Sequence, residues 1–425
     1  MSVSQAALER YSARNRKARI RYYAVLAVVL VALAVVASVI WLSGEISHTT
    51  LHTIGKAPAA VPAATSSSTP TRVWSSNDTP ALGTPVDGGT VVTHDAHTVR
   101  GRDARTGTQT WYYTRTDRTV CAALQDDDAT IAVYRLDGNC DEVTALNTGT
   151  GKRLWTRTLD EDSHQFNGSA SYGISGDTVM FVSPGAVYAI NVQSGYDAWL
   201  FAEQGCSVHR AVIGTAGALI SQTCAHRDCS QVKQCANGDQ LVLRTDQGEN
   251  TDSSSNNGNP DQIVWTLKGS DLVPASAGAV ISAFAPDGSA LSVLAAKTGK
   301  TTTTLPLKAS NGASLGTSID TETSDGDLIW SGGTTYALTA PGTRFDWTLT
   351  SDTAPTLDAP LADVVPVMSS AVLILPVATG VAVLNPQTGA ARTRYPLSPA
   401  PASTDRIYPL GTGFLVAGSG VTVYS

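Results

Sequence analysis

Short apolar runs alternate with Gly, Asp, Asn and Thr along most of the chain. Runs of three to five residues with such boundaries are typical of β-strands. They occur at 90–93, 130–134, 179–182, 218–221, 279–282, 328–330 and 372–375. Charged residues make up only 15% of the chain, which disfavours amphipathic helices with a charged face. The pattern therefore predicts an all-β fold.

A hairpin pattern recurs on top of this alternation. After an extended run to Asp103, a Thr-Gly turn at Gly107 leads into a second run, with Trp111 eight residues after the Asp. The same offsets return at Asn147, Gly151 and Trp155 and at Asn191, Gly195 and Trp199. Gly accepts a positive φ in the turn, and a short polar side chain can bond the turn backbone. Each copy is therefore predicted to be a two-stranded hairpin.

The Trp of each hairpin gives the repeat spacing. The corresponding positions are Trp74, Trp111, Trp155, Trp199, Trp265, Thr303, Trp347 and Thr393, with Gly299 and Gly389 as the turn glycines of the two Thr-containing copies. Most intervals are close to 44 residues. The long interval before Trp265 contains a polar insertion, which predicts a flexible loop. A hairpin repeated at this spacing is typical of a β-propeller.

The two ends of the repeat region are complementary. The chain stops at 420–425 after a third strand, whereas 72–75 reads as a fourth strand with no blade before it. Pairing them would close the ring and remove two exposed sheet edges. Residues 72–425 are therefore predicted to form an eight-bladed propeller, with seven blades as the alternative if one degenerate unit is not a blade.

The N-terminal region predicts a membrane anchor. Residues 22–42 carry no charge, and as a helix they would span about 31 Å, the thickness of the hydrocarbon core. The segment is apolar on all sides, unlike a buried helix of a soluble protein. No cleavage site for a signal peptidase follows it. We expect a basic cytoplasmic tail at 1–21, an uncleaved single-pass anchor at 22–43, and an Ala/Pro/Ser/Thr-rich linker at 44–71.

Charge restricts the partners and the location. Six basic residues within 1–21 predict a cytoplasmic N-terminus at the plasma membrane and an extracytoplasmic propeller. The chain has a net charge of −7, and the part after this tail is more acidic still, so a nucleic-acid partner is not expected. The excess of Arg over Lys suggests a high-GC bacterial genome, such as an actinobacterial one.

The six cysteines predict disulfides in an oxidising compartment. Fifteen pairings are possible in principle. The favoured set joins cysteines at corresponding ends of neighbouring strands and closes one short loop: Cys121 to Cys140, Cys206 to Cys224, and Cys229 to Cys235. The alternative is a zinc site built from His209, Cys224, His226, Cys229 and Cys235, although their spacing is not that of paired C-x-x-C ligands. No metal site and no catalytic constellation is predicted.

The hairpin resembles the repeat of the pyrroloquinoline-quinone (PQQ) propeller superfamily, typified by quinoprotein alcohol dehydrogenases. Val143–Asn147 with Trp155, and Val187–Asn191 with Trp199, carry the resemblance, which extends over roughly 72–425. It implies that the Trp of each repeat packs between blades and that the Gly forms the turn, so these residues are structural. The superfamily also contains cofactor-free members, including the propeller lipoprotein of the outer-membrane protein assembly machine.

The resemblance does not extend to the cofactor chemistry. The dehydrogenases have two adjacent cysteines above the quinone, and this chain has no such pair. Their calcium ligands have no counterparts that can be mapped here, and the acidic stretches 126–128 and 137–139 are typical of solvated turns. No cofactor is predicted, with PQQ and calcium as the alternative.

The sequence thus favours a non-catalytic binding or scaffold module of the cell envelope with a protein partner. A PQQ-dependent oxidoreductase and the ectodomain of a sensor or cell-wall carbohydrate-binding protein are the alternatives. The most distinctive surface is the fourth blade, where the cysteine loop Cys224–Cys235 and the insertion Gly248–Pro260 are candidates for partner binding. Alternatively, both are tolerated surface insertions.

Overall fold

The computed structural model describes the all-β part of the chain in detail. The described residues are 22–23, 25–31, 45–61, 69–83, 86–126, 128–136, 138–159, 171–202, 205–225, 238–245, 262–308, 318–323, 326–331, 334–340, 342–349, 367–368, 373–377, 379–401 and 405–425. They divide into two compact units, Met1–Thr50 with Thr114–Asp117, and Leu51–Tyr113 with Arg118–Ser425.

The first unit contains the described helical residues. Residues 22–23 and 25–31 are helical, and a short helix α1 spans Glu45–His48. Among the residues that the structure describes, no helix is long and apolar enough to cross a membrane. Most of the predicted anchor at 22–43, and all of the basic tail at 1–21, lie outside the described residues.

The strands follow one another in chain order. The first group is β1 (Thr49–His52), β2 (Arg72–Ser76), β3 (Thr79–Pro80), β4 (Leu82–Gly83), β5 (Val86–Asp87), β6 (Thr90–His94), β7 (Thr98–Asp103), β8 (Gln109–Arg115), β9 (Thr119–Asp126), β10 (Ala129–Leu136), β11 (Asn139–Asn147) and β12 (Arg153–Thr158). The second is β13 (Ser171–Ser175), β14 (Thr178–Ser183), β15 (Ala186–Asn191), β16 (Asp197–Phe201), β17 (Cys206–Gly214), β18 (Gly217–Cys224), β19 (Gly238–Arg244), β20 (Ile263–Lys268), β21 (Val273–Ala277), β22 (Ile281–Phe284), β23 (Ala290–Leu294) and β24 (Thr301–Pro306). The third is β25 (Ser318–Thr323), β26 (Gly326–Ser331), β27 (Thr334–Thr339), β28 (Trp347–Leu349), β29 (Val367–Met368), β30 (Leu373–Val377), β31 (Gly380–Leu384), β32 (Ala391–Pro396), β33 (Arg406–Leu410), β34 (Gly413–Ala417) and β35 (Val421–Tyr424).

These strands form eight sheets, one for each blade. Blades 2 to 7 are the consecutive antiparallel sets β9–β12, β13–β16, β17–β20, β21–β24, β25–β28 and β29–β32. Blade 1 contains β6, β7 and β8, with β3 and β5 side by side on β6 as an interrupted first strand. The eight-bladed propeller predicted from the repeat spacing is confirmed, and the seven-bladed alternative is excluded.

Blade 8 closes the ring by pairing strands from the two ends of the repeat region, as the sequence predicts. Its sheet order is β2-β35-β34-β33, so the fourth strand comes from the start of the repeat region. The backbone of Thr71 and that of Ser425 exchange two hydrogen bonds of 2.9 Å. Both strands thus satisfy backbone groups that would otherwise be exposed at a sheet edge.

The core lies between the blades. The described buried apolar side chains form eight clusters, and each cluster is shared by two consecutive blades. Because each blade is apolar on both faces, no blade can bury its surface alone, and the ring stabilises all eight together.

The hairpin turns show why their sequence repeats. Asp103, Asn147, Asn191 and Asn385 each accept a hydrogen bond from turn amides through Oδ1. The turn glycines Gly107, Gly151, Gly195, Gly299 and Gly389 have φ between 66° and 72°. A Cβ on Gly151 would lie 2.5 Å from Cγ of Trp111, the Trp of the preceding blade. The motif therefore joins neighbouring blades through a Trp packed on a glycine turn.

Candidate functional site

The propeller has two faces with different loops. In an antiparallel four-stranded blade, the turns after the first and third strands lie at one end, and the turn after the second strand lies at the other with the link to the next blade. We name these the turn face and the connection face. Four of the five longest segments between propeller strands are at the connection face: 159–170, 225–237, 307–317 and 350–366. Segments of two or three residues, such as 176–177, 215–216 and 278–280, are at the turn face.

The two distinctive features of blade 4 lie on opposite faces. Cys224 and Gly238, which flank the cysteine loop, are paired at the connection end of β18 and β19. Arg244 and Ile263, which flank the insertion, are paired at the turn end of β19 and β20. The ends of β19 are separated by about 20 Å at 3.3 Å per residue. The residues that flank the two features are therefore at opposite ends of β19. The loop and the insertion themselves lie outside the described residues.

Two disulfides lie at the connection face. Cys206 and Cys224 face each other directly on β17 and β18. Cys121 and Cys140 are bonded with Cα atoms 6.0 Å apart, and they lie on β9 and β11, which flank β10. The expectation that both pairs join neighbouring strands is wrong for this second pair, because Cys140 comes just after the turn that ends β10. Cys229 and Cys235 are outside the described residues.

The residues proposed as zinc ligands are otherwise engaged where they are described. Cys224 is in a disulfide. His209 Nε2 lies 2.6 Å from Oγ1 of Thr223, which donates a hydrogen bond of 2.5 Å to Oδ1 of Asp239. Since the Thr223 proton is directed at Asp239, His209 is not placed as a base for that hydroxyl. Across the described residues, no three His, Cys, Asp or Glu side chains converge as a metal site.

The described carboxylates can also be compared with the ligands that calcium and PQQ would require. A calcium ion requires six to eight oxygen ligands, and the described carboxylates do not assemble such a set. Asp126 accepts a hydrogen bond of 3.0 Å from the backbone of Gly176, which uses one of these oxygens in a contact between blades. The described residues therefore do not fit the cation that would hold the quinone.

A charged cluster at the connection face ties the closing strand to blade 1. Asp78 accepts from Nη1 of Arg100 at 2.7 Å and from Nη2 of Arg102 at 2.6 Å. Arg100 also pairs with Asp95. Burial alone would raise the pKa of Asp78, but the bonds from the two arginines outweigh it and lower the pKa from 3.8 to about 2. The charges balance one another, so this cluster is structural.

The turn face of three blades is covered by the chain itself. The backbone amide of Ile54 donates to the carbonyl of Thr150 in blade 2 at 3.1 Å. The Arg105 guanidinium of blade 1 donates to the carbonyls of Ala59 and Ala60 at 3.1 and 3.0 Å. Val61 packs against the cluster between blades 8 and 1. We name residues 54–61 the strap. Part of the predicted linker therefore lies along the turn face.

The junction of blades 3 and 4 differs from the others. Five of the hairpin tryptophans donate through Nε1 to a carbonyl in the next blade's turn: Trp74 to Ala104, Trp111 to Thr148, Trp155 to Val192, Trp265 to Ala296 and Trp347 to Pro386. Nε1 of Trp199 is buried and has no such partner in the part of the chain that the structure describes. Instead, the guanidinium of Arg244 lies over the Trp199 ring, 4.8 Å from its centre. Sequence reasoning missed this arginine, although it follows the apolar run 241–243 at a position that is Leu or Ile in blades 2, 3, 5 and 7.

Comparisons with known proteins give a partial match. Residues 59–202, about a third of the chain, match a protein-family model described as outer membrane protein assembly factor BamB. No curated protein matches the chain. Among solved structures, BamB from Moraxella catarrhalis is similar, with 17% identity, a TM-score of 0.47, and coverage of 84% of this chain and 99% of that one. The matched residues contain blades 1 to 3, and the family match supports the resemblance to PQQ-like propellers that the hairpin motif indicates.

Proposed function

We propose that this protein is a non-catalytic binding or scaffold module of the cell envelope, and that its partner binds at the connection face. The difference between the two faces carries this proposal. The turn face carries the strap, tight turns and one long segment, 245–262, whereas the connection face carries four long segments and two disulfides. Loops on a rigid scaffold are where binding surfaces usually form.

The description of the matching family also supports a binding role. It names an outer membrane protein assembly factor, which is a statement about that family. A binding role in protein assembly is compatible with a propeller in which the repeated hairpin residues serve packing and turn formation. The partner is expected to be a protein of the envelope, since the acidic propeller disfavours nucleic acid.

We further propose that residues 22–43 anchor the propeller to the plasma membrane with the N-terminus in the cytoplasm. The uncharged segment 22–42 and the basic tail before it support this topology. Alkaline phosphatase fused after residue 425 should be active, and fused green fluorescent protein exported through the same pathway should be dark. An inactive phosphatase with a bright fluorescent fusion would contradict the proposed orientation.

Crosslinking in membranes tests the scaffold role. A tagged full-length chain, crosslinked and purified under denaturing conditions, should yield the same partner protein in independent preparations. Failure to recover a reproducible protein, together with binding to isolated cell-wall polysaccharide, would favour the carbohydrate-binding alternative instead.

Reconstitution with PQQ and calcium distinguishes the oxidoreductase alternative. The scaffold proposal predicts no quinone absorption retained after gel filtration and no dye reduction with alcohol substrates. A stoichiometric chromophore with dye-reducing activity would contradict the non-catalytic role, whatever the result of crosslinking.

A further inference from the structure

At the junction of blades 3 and 4, an arginine occupies a position that is apolar in four other blades. In the third strand of blades 2, 3, 4, 5 and 7, one residue lies opposite the hairpin Trp or Thr, and the next residue pairs with the residue two positions before that Trp or Thr. Counted from the turn, the corresponding residue of blade 1 is Arg102, which forms an ion pair with Asp78. This position holds Leu146, Ile190, Leu294 and Leu384 in blades 2, 3, 5 and 7, and all four are buried. In blade 4 the same register holds Arg244, whose side chain is fully buried.

The buried guanidinium has donors in excess of acceptors. Nη2 of Arg244 donates to Oε1 of Gln262. Nε and Nη1 are buried and have no hydrogen-bond partner among the described residues, and the same is true of Nε1 of Trp199 beside them. Burial lowers the pKa of Arg244 to about 10. No carboxylate in the described part of the chain forms an ion pair with this arginine.

The link between the third and fourth strands of blade 4 is longer than in the sister blades. In blades 2 and 3, the turn carbonyl that follows the Asn position accepts from the Trp of the preceding blade. In blade 4, residues 245–262 separate β19 from β20, and residue 246, whose carbonyl has the same position in sequence, lies outside the described residues. The described residues around Trp199 supply a cation and an indole N–H, both of which require an acceptor oxygen. A buried, unpaired charge is costly, so its presence calls for compensation.

From this arrangement we infer that the junction of blades 3 and 4 binds a small oxyanion, such as a carboxylate or phosphate, between Arg244 and Trp199. Its oxygens accept from Nε and Nη1 of Arg244 and from Nε1 of Trp199, and its charge offsets that of the guanidinium. The site lies at the turn face, so its occupancy is separable from partner binding at the connection face.

Thermal unfolding of the full-length chain tests the inference. Acetate and phosphate are titrated separately into Tris chloride, with sodium chloride adjusted to hold the ionic strength constant. A ligand at ten times its Kd should raise the unfolding midpoint of the wild type by about 2 °C, and the rise should saturate. The two titrations distinguish a carboxylate site from a phosphate site by their half-saturation concentrations.

Matched variants give the controls. Arg244→Leu restores the side chain of the sister blades, and it should show a higher midpoint than the wild type without oxyanion and no saturable rise with it. Trp199→Phe removes one donor and should weaken the response at least several-fold, whereas Trp155→Phe, in the equivalent place one blade earlier, should leave it unchanged. A wild type without a saturable response, or an equal response in Arg244→Leu, would overturn the site.

Discussion

At the scale of single residues, the contact between a hairpin Trp and the next turn's Gly decides how blades pack. Gly107, Gly151, Gly195, Gly299 and Gly389 each lie against the Trp of the preceding blade. The turn requires a positive φ, and the indole occupies the space that a Cβ would need. Glycine therefore satisfies two independent requirements at these positions.

Alanine substitutions can separate these requirements. Gly151 has a φ of 72° and would place a Cβ 2.5 Å from Trp111, whereas Gly176 has a φ of 53° and no atom within 4 Å of its Cβ position. Gly176→Ala should cost about 1 kcal/mol from the left-handed backbone alone. Gly151→Ala should cost roughly 1–3 kcal/mol more because of overpacking. Urea unfolding measures both, and equal losses would contradict the role of the Trp contact.

The pH dependence of stability tests the Asp78 cluster. The pKa of Asp78 is lowered from 3.8 to about 2 in the folded protein. Its contribution is therefore fully present above about pH 4 and is lost as the pH falls through 2, and it amounts to about 2 kcal/mol. Asp78→Asn should be less stable than the wild type at pH 6, and the difference should shrink toward pH 2. A difference that is constant over this range would contradict the assignment.

At the scale of elements, the hairpins could be predicted from the sequence, whereas the contacts between blades could be predicted only in part. Asp103, Gly107 and Trp111 specify a turn through local chemistry, so their spacing gives the strands and the repeat directly. The oxyanion site depends on Arg244 reaching a Trp 45 residues earlier, and no local motif signals a contact between two blades. Likewise, the sequence spacing of Cys121 and Cys140 does not reveal that β10 lies between the two strands that carry these cysteines.

The two disulfides should stabilise the connection face. Each closes a loop with a sequence separation of 18 or 19 residues, for which chain-entropy arguments give about 3 kcal/mol. The double variant Cys206→Ala/Cys224→Ala should lose about this much stability in denaturant unfolding, and Cys121→Ala/Cys140→Ala should lose a similar amount. Thiol titration of the denatured, unreduced wild type should find at most two free thiols, and a higher count would contradict these pairings.

At the scale of the whole propeller, the ring is closed by its two chain ends, and the strap covers the turn face of blades 8, 1 and 2. The closing strand β2 pairs with β35, and the strap contacts blades 1 and 2 at the turn face. The sequence predicted the closure because the two ends are complementary by strand count. The strap was predicted to be part of a linker, because residues 57–61 contain only small and apolar side chains. In the structure, Arg105 binds backbone carbonyls of this segment, and such a contact leaves no signal in its side chains.

Position-resolved photo-crosslinking is the most direct test of binding at the connection face. A photoreactive amino acid is placed at exposed Pro184 and Asp287 on the connection face, and at exposed Tyr196 and Lys297 on the turn face of the same two blades. After irradiation of intact cells, one envelope protein should be crosslinked from Pro184 and Asp287 and not from Tyr196 or Lys297. Crosslinking of that protein only from the turn-face positions, or from no position, would contradict binding at the connection face.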